Sequence, residues 1–381
     1  MPAARFAIQI DGTRLSAAEL GRVSALELHE GDDVMARALI RFRLGQGAEG
    51  SYPVIDDGPF EPGAEIQVSL AAPGGTDQII FTGLLSHLRP HFEDIEANSY
   101  LEIVASDHAM LLAAEDRVAT YPDASDSDAA AEICGRYGLA IEADETDARL
   151  GADDILLIQR SDDWSFLRHL ATRNGFTAYF EPDPASGAPT CHFHARRLED
   201  PPQADLTILR ENGNLDWVDF QIAHDRPQAR NVAAIDAVAK RLVRADAESP
   251  EAVLGEALFT AEAESGLVRA GAGAAVRHLR GALPRDAAIN THATGRMARD
   301  HMAVEARGGL DPALYRGLLR AHRPVLIKGV GERLTGTYYV TEVVTTMEEG
   351  ELRQRFAAVS NALGRAGGED FGQSAEEEEP A

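Results

Sequence analysis

Glu61-Pro-Gly-Ala-Glu-Ile-Gln-Val68 leads to Ile80-Phe-Thr-Gly-Leu-Leu85 and then to Tyr100-Leu-Glu-Ile-Val-Ala105, ending at Ser106-Asp107. Near the other end of the chain, Arg323-Pro-Val-Leu-Ile-Lys-Gly-Val330 leads to Leu334-Thr-Gly-Thr-Tyr-Tyr-Val340 and then to Leu352-Arg-Gln-Arg-Phe-Ala-Ala-Val359, ending at Ser360-Asn361. Each stretch has a Pro at the entry to a strand, a Thr-Gly pair beside a second strand, and an outgoing third strand. This pairing predicts an internal duplication of a small β-barrel. The two copies are expected to superpose by rotation about the axis of a ring.

Working outward, Phe6, Ile8 and Ile10 alternate as a half-buried strand. Val23–Leu28, Ala36–Phe42 and Ile66–Leu70 are further short strands with Gly and Pro between them. The character changes at Thr120-Tyr-Pro-Asp. Ser125 or Ser127 caps a helix whose apolar face is Ala129, Ile133 and Tyr137, and Gly138 stops it. Ile155–Gln159 is a strand. Ser161 caps a second helix, with Asp162 and Asp163 at the favourable end of its dipole and Trp164, Leu167, Leu170 and Ala171 on one face. Phe176–Phe180 and Thr190–Ala195 read as a hairpin. Trp217–Gln221 and Gln228–Ile235 are strands, residues 237–288 an Ala- and charge-rich excursion, and Ile289–Glu305 a helix with Ala293, Met297 and Val304 near one face.

The expected fold class is mainly β with an α+β insert: two similar β-barrel domains flanking an α+β module. The boundaries are 1–115 for the first barrel, 116–205 for the module and 206–365 for the second barrel with its excursion at 237–305. Residues 366–381 form an acidic disordered tail.

The chain has 381 residues, 44% hydrophobic and 26% charged, with a formal net charge of −26. That charge argues against stable nucleic-acid binding or grip on an anionic membrane, both of which need clustered Lys and Arg. Its lysines are Lys240 and Lys328 alone. Cys134 and Cys191 give no disulfide framework. No apolar run reaches the roughly 18 residues that a membrane span needs, so synthesis in a cytoplasm is expected.

Candidate sites are few. His192 and His194 share a strand face and form a possible metal edge, but no third His lies at ligand spacing. His292 and His301 fall on opposite faces of a helix. Gly271-Ala-Gly-Ala-Ala-Val276 is a loop rather than a phosphate cradle. Ser161 beside Asp162 and Asp163 is explained by capping. Trp164 belongs to a core, and Trp217 is a candidate platform. Arg316, Arg320 and Arg323 are either a subunit contact or a solvated helix face. No catalytic residue, metal or cofactor is assigned.

One run carries a family likeness: Gln159-x-Ser161-Asp162-x-Trp164-x-Phe166-Leu167-x-x-Leu170-Ala171-x-Arg173-x-Gly175-Phe176, together with Pro62-Gly63, Phe81-Thr82-Gly83 and Ala105-Ser106-Asp107. It resembles the phage late control gene D family of tail hub proteins, which includes the hub portion of VgrG and contractile injection system hubs. The run Gly331-x-x-x-Thr335-Gly336-x-Tyr338-x-Val340-x-x-Val343 resembles the second barrel of that family. Thr345-Thr346-Met347 stands where members often carry a His. The resemblance implies a homotrimeric baseplate hub that joins a sixfold tail tube to a threefold spike, with other baseplate proteins as partners, inside a virion tail or tail-like particle. The alternative is a particle-associated peptidoglycan hydrolase or cell-wall-binding module.

Overall fold

The computed structural model describes residues 5–146, 157–211, 213–223, 231–236, 240–246, 252–257, 276–283, 294–295, 297–348 and 350–364. The chain opens with β1 (Arg5–Ile10), β2 (Thr13–Arg14), β3 (Val23–Gly31), β4 (Arg37–Arg43), β5 (Glu65–Ala71), β6 (Gln78–His91) and β7 (Tyr100–Ser106). The middle carries β8 (Asp116–Tyr121), a helix at Asp126–Arg136, β9 (Ala140–Ala143), β10 (Leu157–Asp162), a helix at Asp163–Asn174 and the hairpin of β11 (Thr177–Pro182) and β12 (Pro189–His194). Then come β13 (Gln203–Thr207), β14 (Leu215–Ile222), β15 (Asn231–Asp236), β16 (Arg241–Asp246), β17 (Glu256–Ala257), β18 (Val276–Leu283), β19 (Val304–Leu310), β20 (Pro324–Lys328), β21 (Gly336–Glu348), β22 (Glu351–Ser360) and β23 (Ala362–Leu363).

The strands follow period two. In β22, Leu352, Phe356 and Ala358 point into a core while Arg353 and Arg355 alternate outward. Three cores result. One gathers β1 and β3–β7 around Ile8, Ile40, Ile66 and Ile103. A second gathers the two long helices and the β11–β12 hairpin around Ile133, Trp164, Leu167 and Phe193. A third gathers β13, β14 and β19–β22 around Leu206, Val325, Tyr338 and Phe356.

The first and third groups share one strand order. Along the sheet it reads β3-β4-β7-β6-β5-β1 in the first and β14-β19-β22-β21-β20-β13 in the second. In chain order this is the same permutation, and the registers agree pair by pair. Ala25 faces Arg41 as Trp217 faces Gly309. Leu101 faces Phe42 as Gln354 faces Leu310. Ile66 faces Gly83 as Val325 faces Tyr338.

Even the irregularities repeat. Both long strands bulge between corresponding pairs, at Ser86 in β6 and Thr341 in β21. At each bulge the hydroxyl donates to a carbonyl of the next strand: Ser86 Oγ to Val104 O at 2.9 Å, Thr341 Oγ1 to Ala357 O at 3.2 Å. Ahead of β5, Gly63 takes φ +81° and its N–H donates to Leu85 O. Ahead of β20, His322 takes φ +64° and donates to Val340 O. One member departs: β1 is antiparallel to β5, whereas β13 is parallel to β20.

Several expectations are corrected. Among the described strands of the two β groups no closed barrel is found. Their strands join through β3 and β21 into one 13-stranded sheet whose described strands do not close. The Thr-Gly pairs are not equivalent, because the register sets Thr82 against Thr337 and Gly83 against Tyr338. Pro324 corresponds to Glu65, not to Pro62, for the same reason. Ser125 does cap the first long helix, in a capping box with Asp128, but the second is capped by Asp162, whose side chain accepts from Ser165 N. Ser161 lies within β10 instead. Val304 opens β19 rather than closing a helix; among the described residues helix is found only at 294–295 and 297–300 there. The 237–305 excursion contains strands, and β16-β15-β18 form a small sheet. Residues 284–293, which include His292 and Ala293, lie outside the described residues, as do the Gly271 run before Val276 and the tail at 366–381.

Candidate assembly interface

Where the two β groups meet, β3 and β21 pair antiparallel from Gly31 against Glu342 to Ala25 against Glu348. His29 Nε2 lies 2.8 Å from Glu342 Oε1 across this seam. Around Gly31 the chain runs into a partly buried ionic joint. Glu30 is held by Arg320 Nε at 3.1 Å and by Ala321 N at 2.8 Å. Asp32 accepts from His322 Nδ1 at 2.9 Å and from Arg196 Nε at 3.0 Å. Asp33 receives Arg299 at 3.1 Å and Ala178 N at 3.1 Å. Glu181 from the hairpin receives Arg323 at 2.8 Å and Arg320 at 3.3 Å.

Burial alone would raise the Asp32 carboxyl. The His322 hydrogen bond and the Arg196 guanidinium outweigh it and hold Asp32 below the usual carboxylate range. Glu181 is likewise pushed up by burial and pulled further down by Arg320 and Arg323. All three parts of the chain are thus locked by charge pairs at one junction.

The repeat makes this seam a template. In the second group, β21 offers its outer edge to β3. The matching edge of β6, from His87 onward, has no strand partner among the described residues, and Pro90 sits in it as prolines do in edge strands. In the first group, β3 offers its edge to β21. The matching edge of β14 is the end of the sheet. Large apolar side chains stand exposed along both: Leu88 at 41%, Phe92 at 53% and Trp217 at 43%. Carrying the seam register across sets Leu88 against Ile222, Arg89 against Gln221, His91 against Asp219 and Glu93 against Trp217. Among the described residues, β6 from His87 onward and the outer edge of β14 are thus unpaired edges whose registers complement each other.

The residues singled out from sequence are placed as follows. Trp164 is buried in the second core, and Trp217 is half exposed on β14. Ser161 donates to Asp162 O. Asp163 is fully buried and accepts from Gln159 Nε2 at 2.7 Å, Arg136 at 3.1 Å and Tyr137 Oη at 2.8 Å. Tyr121 Oη donates to Gln159 Oε1 at 2.6 Å. The Gln-x-Ser-Asp run is therefore a satisfied internal network. Arg320 and Arg323 lie in the ionic joint rather than on a solvated helix face, and Arg316 is exposed in a left-handed turn. Cys134 and Cys191 are free and buried together in the second core. Sequence reading missed Glu30, Asp32 and Glu342, since nothing local marks a partner that lies at the other end of the chain.

A family model described as the Alg8 N-terminal domain matches residues 2–188. No curated protein matches the chain. Solved structures do match nearly end to end. The tail protein from Neisseria meningitidis aligns at 12% identity with a TM-score of 0.64, covering 94% of this chain and 96% of that one. The prophage MuSo2 tail protein from Shewanella oneidensis aligns at 11% identity and 0.60, covering 95% and 100%. An E. coli component of the type VI secretion system, described as similar to the T4 bacteriophage tail proteins gp27 and gp5, aligns at 12% and 0.58, covering 93% and 76%. The chain shares the fold of phage tail proteins. Among its described residues no helix is long and apolar enough to cross a membrane.

Proposed function

We propose that this chain is a structural hub of a contractile phage tail or tail-like injection particle, without catalysis, and that it works as a homotrimer. The observation that carries this reading is the register-for-register repeat: one seam is made within the chain, and the two halves of an identical seam are left open on β6 and β14. Three copies joined head to tail by the open edges would repeat that seam six times around a ring. Such a ring meets a sixfold tail tube on one side and a threefold spike on the other, with further baseplate proteins around it. The shared tail-protein fold supports this reading. The division into residues 1–115, 116–205 and 206–365 belongs to the same proposal, supported by the three separate cores.

The test is register-specific cross-linking. Arg89→Cys with Gln221→Cys, both exposed positions, is expected to give a covalent trimer on oxidation. Arg89→Cys with Asp219→Cys, two residues out of register, should give far less. A monomer by light scattering, or equal cross-linking of both pairs, overturns the reading.

A further inference from the structure

The β12 edge of the middle module carries a second constellation. His192 and His194 point from one face of β12. β9 pairs parallel with β12 and sets Glu142 directly beside His192. One nitrogen from each imidazole and one Glu142 oxygen lie within 4.8 Å of one another. We propose that Glu142, His192 and His194 bind a divalent transition metal ion of the zinc class.

Three features point to a ligand there. His192 Nδ1 is buried without a hydrogen-bond partner; its nearest acid oxygen, Glu142 Oε2, stands at 3.6 Å, outside hydrogen-bond reach. His194 Nδ1 lies 2.7 Å from Ala195 O, which makes that nitrogen the donor and Nε2 the lone-pair nitrogen; Nε2 now accepts a long 3.4 Å hydrogen bond from Tyr179 Oη, which an ion would displace. The His192 ring is held by parallel stacking on Tyr179 at 4.7 Å between centroids, and Tyr179 is braced from its other side by His322 at 3.5 Å.

Zinc bonds of about 2.0–2.2 Å need ligand atoms drawn closer than they now lie. The Glu142 side chain is 58% exposed and free to swing inward. Its competitor is Arg197, 3.7 Å from Glu142 Oε1, but that guanidinium is already engaged by Asp144 at 2.7 and 3.0 Å. Three protein ligands leave a fourth position to water. The ion would pin the four-residue β9 to the hairpin whose Glu181 enters the ionic joint.

The full chain, freed of metal with a chelator, is titrated with zinc chloride by calorimetry, and its thermal unfolding is followed with and without the ion. One equivalent per chain and a raised unfolding midpoint are expected. Glu142→Gln, at an exposed position, should keep the metal-free midpoint and weaken zinc at least ~10-fold, since even outer-shell changes cost that much. His192→Gln should abolish the site. With cobalt chloride the wild type should show tetrahedral visible absorption that both variants lose. Substoichiometric binding by the wild type, or unchanged binding by Glu142→Gln and His192→Gln, overturns the proposal.

Discussion

Asp107 is a carboxylic acid whose titration burial controls. It is buried at 2% exposure, accepts from Ala36 N at 2.6 Å and Ala109 N at 2.9 Å, and burial pushes its carboxyl up to about 7 despite those donors. The unfolded chain releases this proton near the ordinary value of about 3.9. The folded state therefore binds more protons between about 4 and 7, and stability should fall as pH rises through that window. Asp107→Asn is expected to flatten this slope in urea melts taken from pH 4.5 to 7.5; an unchanged slope would exclude Asp107 as its source. Asp163 is also buried, and three donors meet it. Asp163→Ala leaves one N–H of the buried Gln159 amide unpaired, while Arg136 keeps Glu132 and Tyr121, so a loss of about 1–3 kcal/mol in urea unfolding is expected. The sequence marked Gln159 and Asp162–Trp164 as unusual, but their meaning was legible only once Tyr121 and Arg136 came to meet them. The joint acids, Asp32 and Glu181, follow the ordinary sign: held down by their partners, they stabilise above the unfolded value and lose that contribution as pH falls into the acid range.

At the scale of elements, strand positions were largely readable, because alternation such as Phe6-Ile8-Ile10 and capping at Ser125 are local signals. The equivalence of the two β groups was legible as a kind but not as a register. Side-chain identity suggested Thr82-Gly83 with Thr335-Gly336. Backbone pairing aligns Ser86 with Thr341, two residues differently, since what repeats is a bulge and its hydroxyl rather than a dipeptide. Ser86→Ala and Thr341→Ala should each cost about 0.5–1.5 kcal/mol, the net worth of one hydrogen bond, measured by chemical denaturation. A cost at one site and none at the other would mean the two bulges are not held alike. Gly83 is tighter: a Cβ there would meet Ser106 O at 2.3 Å, so Gly83→Ala should destabilise by ~1–3 kcal/mol through forced backbone movement. The His192–Glu142 neighbourhood was illegible for a related reason. Alternation places two histidines on one face, but which strand lies beside them is a tertiary fact.

At the scale of the molecule, the exposed Leu88 and Phe92 side chains carry the assembly prediction. Leu88→Asp should change the monomer's melting midpoint little, since that side chain is 41% exposed, and should abolish the trimer in light scattering, whereas Phe92→Asp also removes an edge-on contact with Tyr52. Peptidoglycan zymograms of the purified chain are expected to show no clearing; clearing would move the 116–205 module from scaffold to enzyme.

The reversed outer strand gives the repeat its one broken rule. β1 runs against β5, and β13 runs along β20. In a ring of three chains, a binding partner that touches only the seam strands would meet six equal stations. One that touches the outer strands would meet two kinds of station in alternation, three of each. In the proposed ring, parity would thus be written into strand polarity: the same assembly would count as six along its seam strands and as three along its outer strands.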